Sequence, residues 1–486
     1  MFKSSRQCLL ILSLMVQLNM AQAVTFNQSY RPEVSTVPEI GAGIGLIDQQ
    51  NEKFLGEKVY REIHQHLPVV QDPWLEDQLN QIFFKIWSQT NLVAPVGLLI
   101  INDKQVNAFA VPGGVFAINT GLITLARNPD EVASVMGHEI AHVTQRHYSR
   151  SQEAFKGQSL LALAGILIGA AIASQSDGNA GSAVMLGTQA ALMDRQLSYS
   201  RNQEREADRI GMQYMVAAGF NPESMADFFE RMQRSSTQLS FMPEFWLTHP
   251  LTTERMSEAR LRANQLPHVK STMDTSQYDL IRWYTAVITD DISEQQLINL
   301  ANQQNQSAKL ALVALYTKQG DNQKAQKMLD SVKNETKNNI LAILLQTDIL
   351  INLHQLDRAH EIIAEKQQIM PENRALTYKY AEVLIRQNQA SDAQQIVKKI
   401  LDSYPRDVSG WDLMMRAASI DDHQSVVKAI NVLRYRAEAQ FWSGLEEEGI
   451  KSLLHAQRLA KDNQSLSATI DARLKQMQQE RLYNLS

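Results

Sequence analysis

Apolar residues recur at helical spacing from Asn51 to Leu67 and again from Pro73 to Gln89, where Trp74, Leu75, Leu79, Ile82 and Phe83 keep the 3.6-residue period. The pattern then shortens to strand-like runs at Val96 to Ile101, Ala108 to Val111 and Val115 to Asn119, with Gly113-Gly114 supplying the turn between the last two. Helical spacing returns from Pro129 to Tyr148; Asn128 is placed to cap that helix, and Asp130 and Glu131 sit in its first turn. Leu160 to Ala173 is apolar and rich in Ala and Gly, but too short to span a bilayer, and a second small-residue run covers Ala183 to Met193. A closely packed helical hairpin is the plain reading of these two runs. A hydrophobic surface that dips into a membrane or covers a cleft is the sharper one.

Beyond about residue 270 the chain becomes a series of amphipathic helices with an internal period. Ala325, Ala359 and Ala393 are 34 residues apart, and Pro371 and Pro405 repeat the same step, each twelve residues after its alanine. Tyr316 and Gly320-Asp321 precede Ala325 at the offsets of a tetratricopeptide repeat, a further copy is expected around Gly444 to Ala456, and Trp411 opens an irregular unit between them. The repeats resemble the tetratricopeptide family, which implies stacked helix pairs with a groove that binds peptides or protein segments.

Composition narrows the functional classes. The chain has 486 residues, is 44% hydrophobic and 20% charged, and carries a net charge of -5 with its basic residues scattered, so nucleic acid is not an expected partner. Its start reads as an export signal: Lys3 and Arg6, an apolar core from Cys8 to Val16, and a small-residue cleavage site at Ala21-Gln22-Ala23. Cleavage there would leave 45 basic against 52 acidic residues, a charge of 45 − 52 = −7, and would remove Cys8, the one cysteine. Any metal must then be held by His and carboxylates. No integral membrane anchor is expected.

The chemistry concentrates in His138-Glu139-Ile140-Ala141-His142. On a helix the two histidines, four residues apart, project from one face and can reach one ion, while Glu139 can contact the water to be activated without being a ligand. A third protein ligand must come from elsewhere. Glu204-Arg205-Glu206-Ala207-Asp208 offers it: Glu204 and Asp208 share a helix face, so Glu204 can bind metal while Asp208 accepts the outer N–H of an imidazole, expected to be His138. Glu206 points elsewhere and is expected to make a surface or salt-bridge contact. His249 and Arg255, in His249-Pro250-Leu251-Thr252-Thr253-Glu254-Arg255, leave three readings open. The loop is structural; or His249 or Arg255 stabilises the oxyanion; or His249 takes the metal's fourth position and holds the site latent.

HEIAH followed some sixty residues later by E-x-E-A-D resembles the gluzincin family that includes HtpX and the CAAX prenyl proteases, as does Asn107-Ala108-Phe109-Ala110 before Val111-Pro112-Gly113-Gly114. With the export signal and the repeats, the whole chain is similar to the BepA-type periplasmic proteases. The resemblance implies an α+β, predominantly helical chain: a zinc metalloprotease domain with a small edge sheet over 24–268, after a signal peptide at 1–23, then an all-α repeat solenoid over 269–486. It implies one Zn2+ per chain on His138, His142 and Glu204, Glu139 as general base, and an edge strand at Asn107 to Ala110 that pairs with substrate. It also implies misassembled outer-membrane β-barrel proteins and their assembly machinery as partners. A chaperone or scaffold with incidental proteolysis is the alternative, and it would not need a water-activating Glu139.

Overall fold

The computed structural model describes residues 49–111, 113–147, 201–239, 245, 249–270, 275–303, 305–420 and 426–482. The expected export signal, the Pro-containing stretch Val24 to Pro38 that reads as an extended lead after it, and the two small-residue runs lie outside the described residues. Two helices open the described chain, α1 (Gln49–His66) and α2 (Pro73–Trp87); Asp72 caps the second by accepting from the backbone N–H of Leu75, with Pro73 at the first turn.

Three strands follow where the short strand-like runs place them: β1 (Gly97–Ile101), β2 (Ala108–Val111) and β3 (Val115–Asn119). The order is β1-β3-β2, with β1 parallel and β2 antiparallel to β3. Gly113 and Gly114, at φ 92° and 79°, make the turn that a side chain at either position would strain. β3 is buried on both faces, and its side chains alternate: Val115 and Ala117 face Leu55, Val59 and Ile63 of α1, while Phe116 and Ile118 face Ile82, Phe83 and Trp87 of α2. β2 is left at the sheet edge. A short helix not foreseen from the sequence, α3 (Thr120–Leu125), continues directly from β3.

Asn128 caps α4 (Pro129–Thr144) through the N–H of Glu131, as its position suggests. The helix stops at Thr144 rather than Tyr148, because Arg146 turns the backbone into the left-handed region at φ 51°. α4 crosses α5 (Arg201–Ala217) at Gly137 and Gly211. A methyl group on Gly211 would sit 2.9 Å from the carbonyl carbon of Gly137 and 3.0 Å from the N of His138. Two glycines thus let the helices approach backbone to backbone, beside the first histidine of the motif. α6 (Glu223–Leu239) and α7 (Thr253–Ala263) complete this first part of the chain, and α8 (Thr275–Ile288) and α9 (Glu294–Asn302) lead into the repeats.

The repeats are regular in a way the alanines only hint at. Helix pairs α10/α11 (Gln306–Lys318, Asn322–Thr336), α12/α13 (Ile340–Asn352, Leu356–Ile369) and α14/α15 (Arg374–Arg386, Ala390–Ser403) are followed by α16 (Val408–Ser419) and α17 (Val426–Trp442). Asn305, Asn339, Asn373 and Asp407 cap the first helix of successive pairs, each accepting from the backbone N–H three residues on. Gly320, His354 and Asn388 take positive φ, at 78°, 59° and 60°, in the turns between paired helices. Ala325, Ala359 and Ala393 are fully buried where the paired helices pack. At Trp411 the chain forms α16, followed by α17; the stretch Gly444 to Ala456 falls on a turn at Gly444, φ 83°, and on α18 (Glu446–Leu459), and α19 (Gln464–Arg481) follows.

The described residues fall in one unit, and buried charges tie its first part, up to α7, to the repeats within it. Arg374, which opens α14, meets Glu76 and Asp77 of α2 as well as Asp407. Tyr284 of α8 donates to Asp72 at 2.7 Å. At the other end Arg61 of α1 donates to Glu446 at 2.7 Å and lies over the Phe441 ring, and Arg406 donates to Glu57. α14, which opens a repeat pair, therefore lies against α2, so part of its face is taken by the chain itself. No described helix is long and apolar enough to cross a membrane.

The Gly137–Gly211 crossing generates a stability prediction. Gly211→Val forces the two helices apart at a point where only backbone can yield, and it should cost about 1–3 kcal/mol of overpacking. Thermal unfolding of the purified variant should show a lowered midpoint; an unchanged midpoint would contradict the close approach.

Candidate metal centre

α4 and α5 carry the site. His138 and His142 lie one turn apart on α4 and are both buried, and Glu204 and Asp208 lie one turn apart on the facing side of α5. The Nε2 atoms of the two histidines are 2.9 Å apart. Glu204 closes on them from the other helix, its Oε2 3.5 Å from Nε2 of His138 and its Oε1 3.5 Å from Nε2 of His142. His249 joins this group: its Nδ1 is 3.2 Å from Nε2 of His138 and 3.0 Å from Oε1 of Glu204. One ligand-capable atom from each of His138, His142, Glu204 and His249 lies within 4.8 Å of every other.

The outward hydrogen bonds decide what the inner atoms are. Nδ1 of His138 lies 2.9 Å from Oδ1 of Asp208, which can only accept, so this nitrogen carries the proton and Nε2 of the neutral ring is a lone pair. Nδ1 of His142 lies 2.9 Å from Nδ1 of His147. If His142 is the donor there, its Nε2 is also a lone pair, facing that of His138. Lone pairs at 2.9 Å repel unless a cation or a proton sits between them. Oε2 of Glu204 and Oε1 of Glu139 are buried without a hydrogen-bond partner, the former despite an Arg255 nitrogen 2.7 Å away in poor alignment. The donor set fits a divalent ion, and these four residues could hold one.

Charge in the site follows the same logic. Burial pushes the His138 imidazole down, but Asp208 and Glu204 outweigh it and hold the group up at about 9. Burial and the neighbouring His138 drive His142 far below the usual histidine value. For Glu204, burial works upward and is overcome by His249 and His138, leaving the carboxylate well below its ordinary range. Burial raises Glu139. One proton or one cation can therefore be shared among the imidazoles, and the carboxylate that faces them is ionised.

Glu139 stands beside the cluster without belonging to it. Its Oε2 accepts the backbone N–H of Ala110 at 3.1 Å, and its Oε1 is 3.4 Å from Nε2 of His249. Asn107 turns its carbonyl to Asn119 of β3, so alternation points the backbone groups of Ala108 and Ala110 away from the sheet, along the open edge. Phe245 donates its N–H to the carbonyl of Val106, just before β2, and its ring stacks on His249 with centroids 4.7 Å apart.

The structure brings His138, Glu139, His142, Glu204, Asp208 and His249 together and places Arg255 behind them. Two Arg255 nitrogens donate to the two oxygens of Asp208 at 2.8 and 2.9 Å, and a third donates to the carbonyl of Pro250 at 3.0 Å. His147 was not foreseen. It is fully buried, and its Nε2 lies 3.0 Å from Oε2 of Glu206, so the contact expected of Glu206 is made, at a half-exposed position, with His147 as its partner. Its signal in the sequence was hidden by the expected helix, which would have turned His147 away from His142.

The Peptidase family M48 profile matches residues 71–263, and a Tetratricopeptide repeat profile matches residues 350–417. Over 92% of its length the chain is 32% identical to a putative beta-barrel assembly-enhancing protease of Vibrio cholerae, covering 94% of that protein. It is 30% identical to a beta-barrel assembly-enhancing protease of Yersinia pestis, over 93% of each chain. A shorter match, 37% of this chain and 49% of the relative at 30% identity, is to the mitochondrial metalloendopeptidase OMA1 of Schizosaccharomyces pombe. The chain is a metallopeptidase with helical repeats after its peptidase part, and it belongs to peptidase family M48 and, within it, to the family of the beta-barrel assembly-enhancing proteases.

Proposed function

We propose that the chain is a zinc-dependent endopeptidase of protein quality control, held latent at rest by its own His249. The observation that carries the reading is the meeting of imidazole lone pairs with the Glu204 carboxylate in one buried site. His138, His142 and Glu204 hold one zinc ion, a donor set that zinc accepts while keeping a position open for chemistry. When bound, zinc supplies Lewis acidity, polarising the scissile carbonyl and making water acidic enough to give up a proton near neutrality.

The remaining chemistry falls to the chain. Glu139, raised by burial, accepts the proton of the attacking water and returns it to the leaving amine. Asp208 fixes the tautomer of His138. Arg255 is committed to Asp208 and to the loop carbonyl of Pro250, which favours a holding role over oxyanion stabilisation. An extended substrate segment adds to the open edge at Asn107, Ala108, Phe109 and Ala110, where the outward backbone groups of Ala108 and the carbonyl of Ala110 read main chain rather than side chains, the N–H of Ala110 being held by Glu139.

His249 fills the position that water and substrate need. Its Nδ1 sits among the ligand atoms and its Nε2 reaches Glu139, so one ring engages both the metal site and the base. The hydrogen bond of Phe245 to Val106 sets the same segment at the head of the edge strand. Substrate entering along β2 would displace it. The leader through Ala23 directs the chain to the periplasm, with 24–268 as the peptidase domain and 269–486 as the repeat domain. The names of the relatives support misfolded or stalled outer-membrane β-barrel proteins as substrates, and the repeats as the contact to the assembly machinery.

Two substitutions separate the parts of this reading. Glu139→Gln should leave bound zinc at one ion per chain while slowing casein hydrolysis by about 10²–10⁴-fold, the contribution of a positioned acid–base group. Retained hydrolysis would remove Glu139 from the chemistry. His249→Ala should raise casein hydrolysis, because the ring that lies against both His138 and Glu139 is removed. A fall in rate would mean that His249 assists the reaction instead of blocking it.

A further inference from the structure

The outer nitrogens of the two helix histidines are held by different devices. His138 is held by Asp208, itself gripped by Arg255. His142 turns its Nδ1 to Nδ1 of His147 at 2.9 Å, and the far nitrogen of His147 is 3.0 Å from Oε2 of Glu206. Glu206 accepts, so Nε2 of His147 carries a proton. In a neutral His147 its Nδ1 is then an acceptor, and the N–H between the rings belongs to His142. That assignment leaves Nε2 of His142 as a lone pair aimed at the metal position. Two hydrogen bonds in series thus select the one tautomer of His142 that can be a ligand through Nε2.

The backbone supplies a second observation. Had α4 continued, residue 147 would lie roughly 140° around the axis from residue 142, out of reach of its ring. The left-handed turn at Arg146, φ 51°, brings it back. A non-glycine residue seldom adopts this conformation, and it persists where the surroundings enforce it. Part of that enforcement is visible: Gln203 of α5, next to Glu204, donates its side-chain amide to the carbonyl of His147 at 3.1 Å. The turn after the motif is therefore bound to the helix that carries the carboxylate ligand.

We propose that His147, backed by Glu206, is a positioning residue that fixes the tautomer and ring orientation of His142 as a metal ligand. The inference rests on the reading of the metal site given above. His147 touches no ligand position itself; it acts through His142. Outer partners of ligating histidines commonly govern metal affinity by one to two orders of magnitude.

The test uses the purified full chain and zinc alone, with the dissociation constant read by competition against a chromogenic chelator. His147→Phe keeps ring volume and removes the acceptor, while His147→Asn puts a carbonyl oxygen where Nδ1 stands. His147→Phe should weaken zinc binding by about 10–100-fold, and His147→Asn should recover most of the loss. A His147→Phe chain that binds zinc as the parent does overturns the proposal. An Asn variant as weak as the Phe variant also overturns it, since His147 would then only fill space. Should the Phe variant fail to fold, Glu206→Leu decides at a half-exposed position: weaker zinc binding supports the relay, and unchanged binding overturns it. A parent chain that holds no zinc overturns the site reading, and the relay with it.

Discussion

Three imidazoles and a carboxylate share a space from which solvent is shut out, and the arrangement is tolerable only if a positive charge sits among them. The Nε2 atoms of His138 and His142 face each other at 2.9 Å, with Nδ1 of His249 3.2 Å from the first of them. Outside this buried group, hydrogen bonds to Asp208 and His147 direct the protons away from the centre. The inner atoms are therefore donors of electron pairs with nowhere else to turn. A buried polar group left unpaired costs on the order of 1–3 kcal/mol, and more when it is charged. The site thus stores a demand for a cation.

The fold is arranged to hold that demand in place. Gly137 and Gly211 let two helices cross at backbone distance, which sets Glu204 and Asp208 against His138 and His142. Burying β3 on both faces fixes the sheet, and with it the edge whose Ala110 N–H meets Glu139. On the two faces of the sheet, α1 and α2 are held by Arg61, Arg374 and Arg406 through contacts that include acidic residues of both parts. Removing one partner of such a buried pair leaves an uncompensated charge, so these contacts resist separation of peptidase and repeats.

Much of this could be read in the sequence because it is local. HEIAH needs only a helix to bring its histidines to one face, and the short apolar run at Val115–Asn119 after Gly113-Gly114 marked the central strand. The 34-residue step showed through three alanines. What escaped is set by tertiary geometry. His354 and Asn388 stand in left-handed turns where Gly320 alone would be noticed. Arg146 ends α4 four residues early, at Thr144 instead of Tyr148, with no glycine or proline to mark it, and for that reason His147 and Glu206 were unreadable as a pair. The place of Arg255 behind Glu204 and Asp208 likewise depends on α7 meeting α5, which no local pattern encodes.

The most direct test of the account is X-ray absorption at the zinc K edge of the purified protein, which reads the ligand set without passing through activity. The account predicts one zinc per chain bound by three imidazole nitrogens at about 2.0–2.1 Å and a carboxylate oxygen at about 2.0–2.2 Å. A spectrum with fewer than two imidazoles, or a protein that carries no zinc after reconstitution, would contradict it.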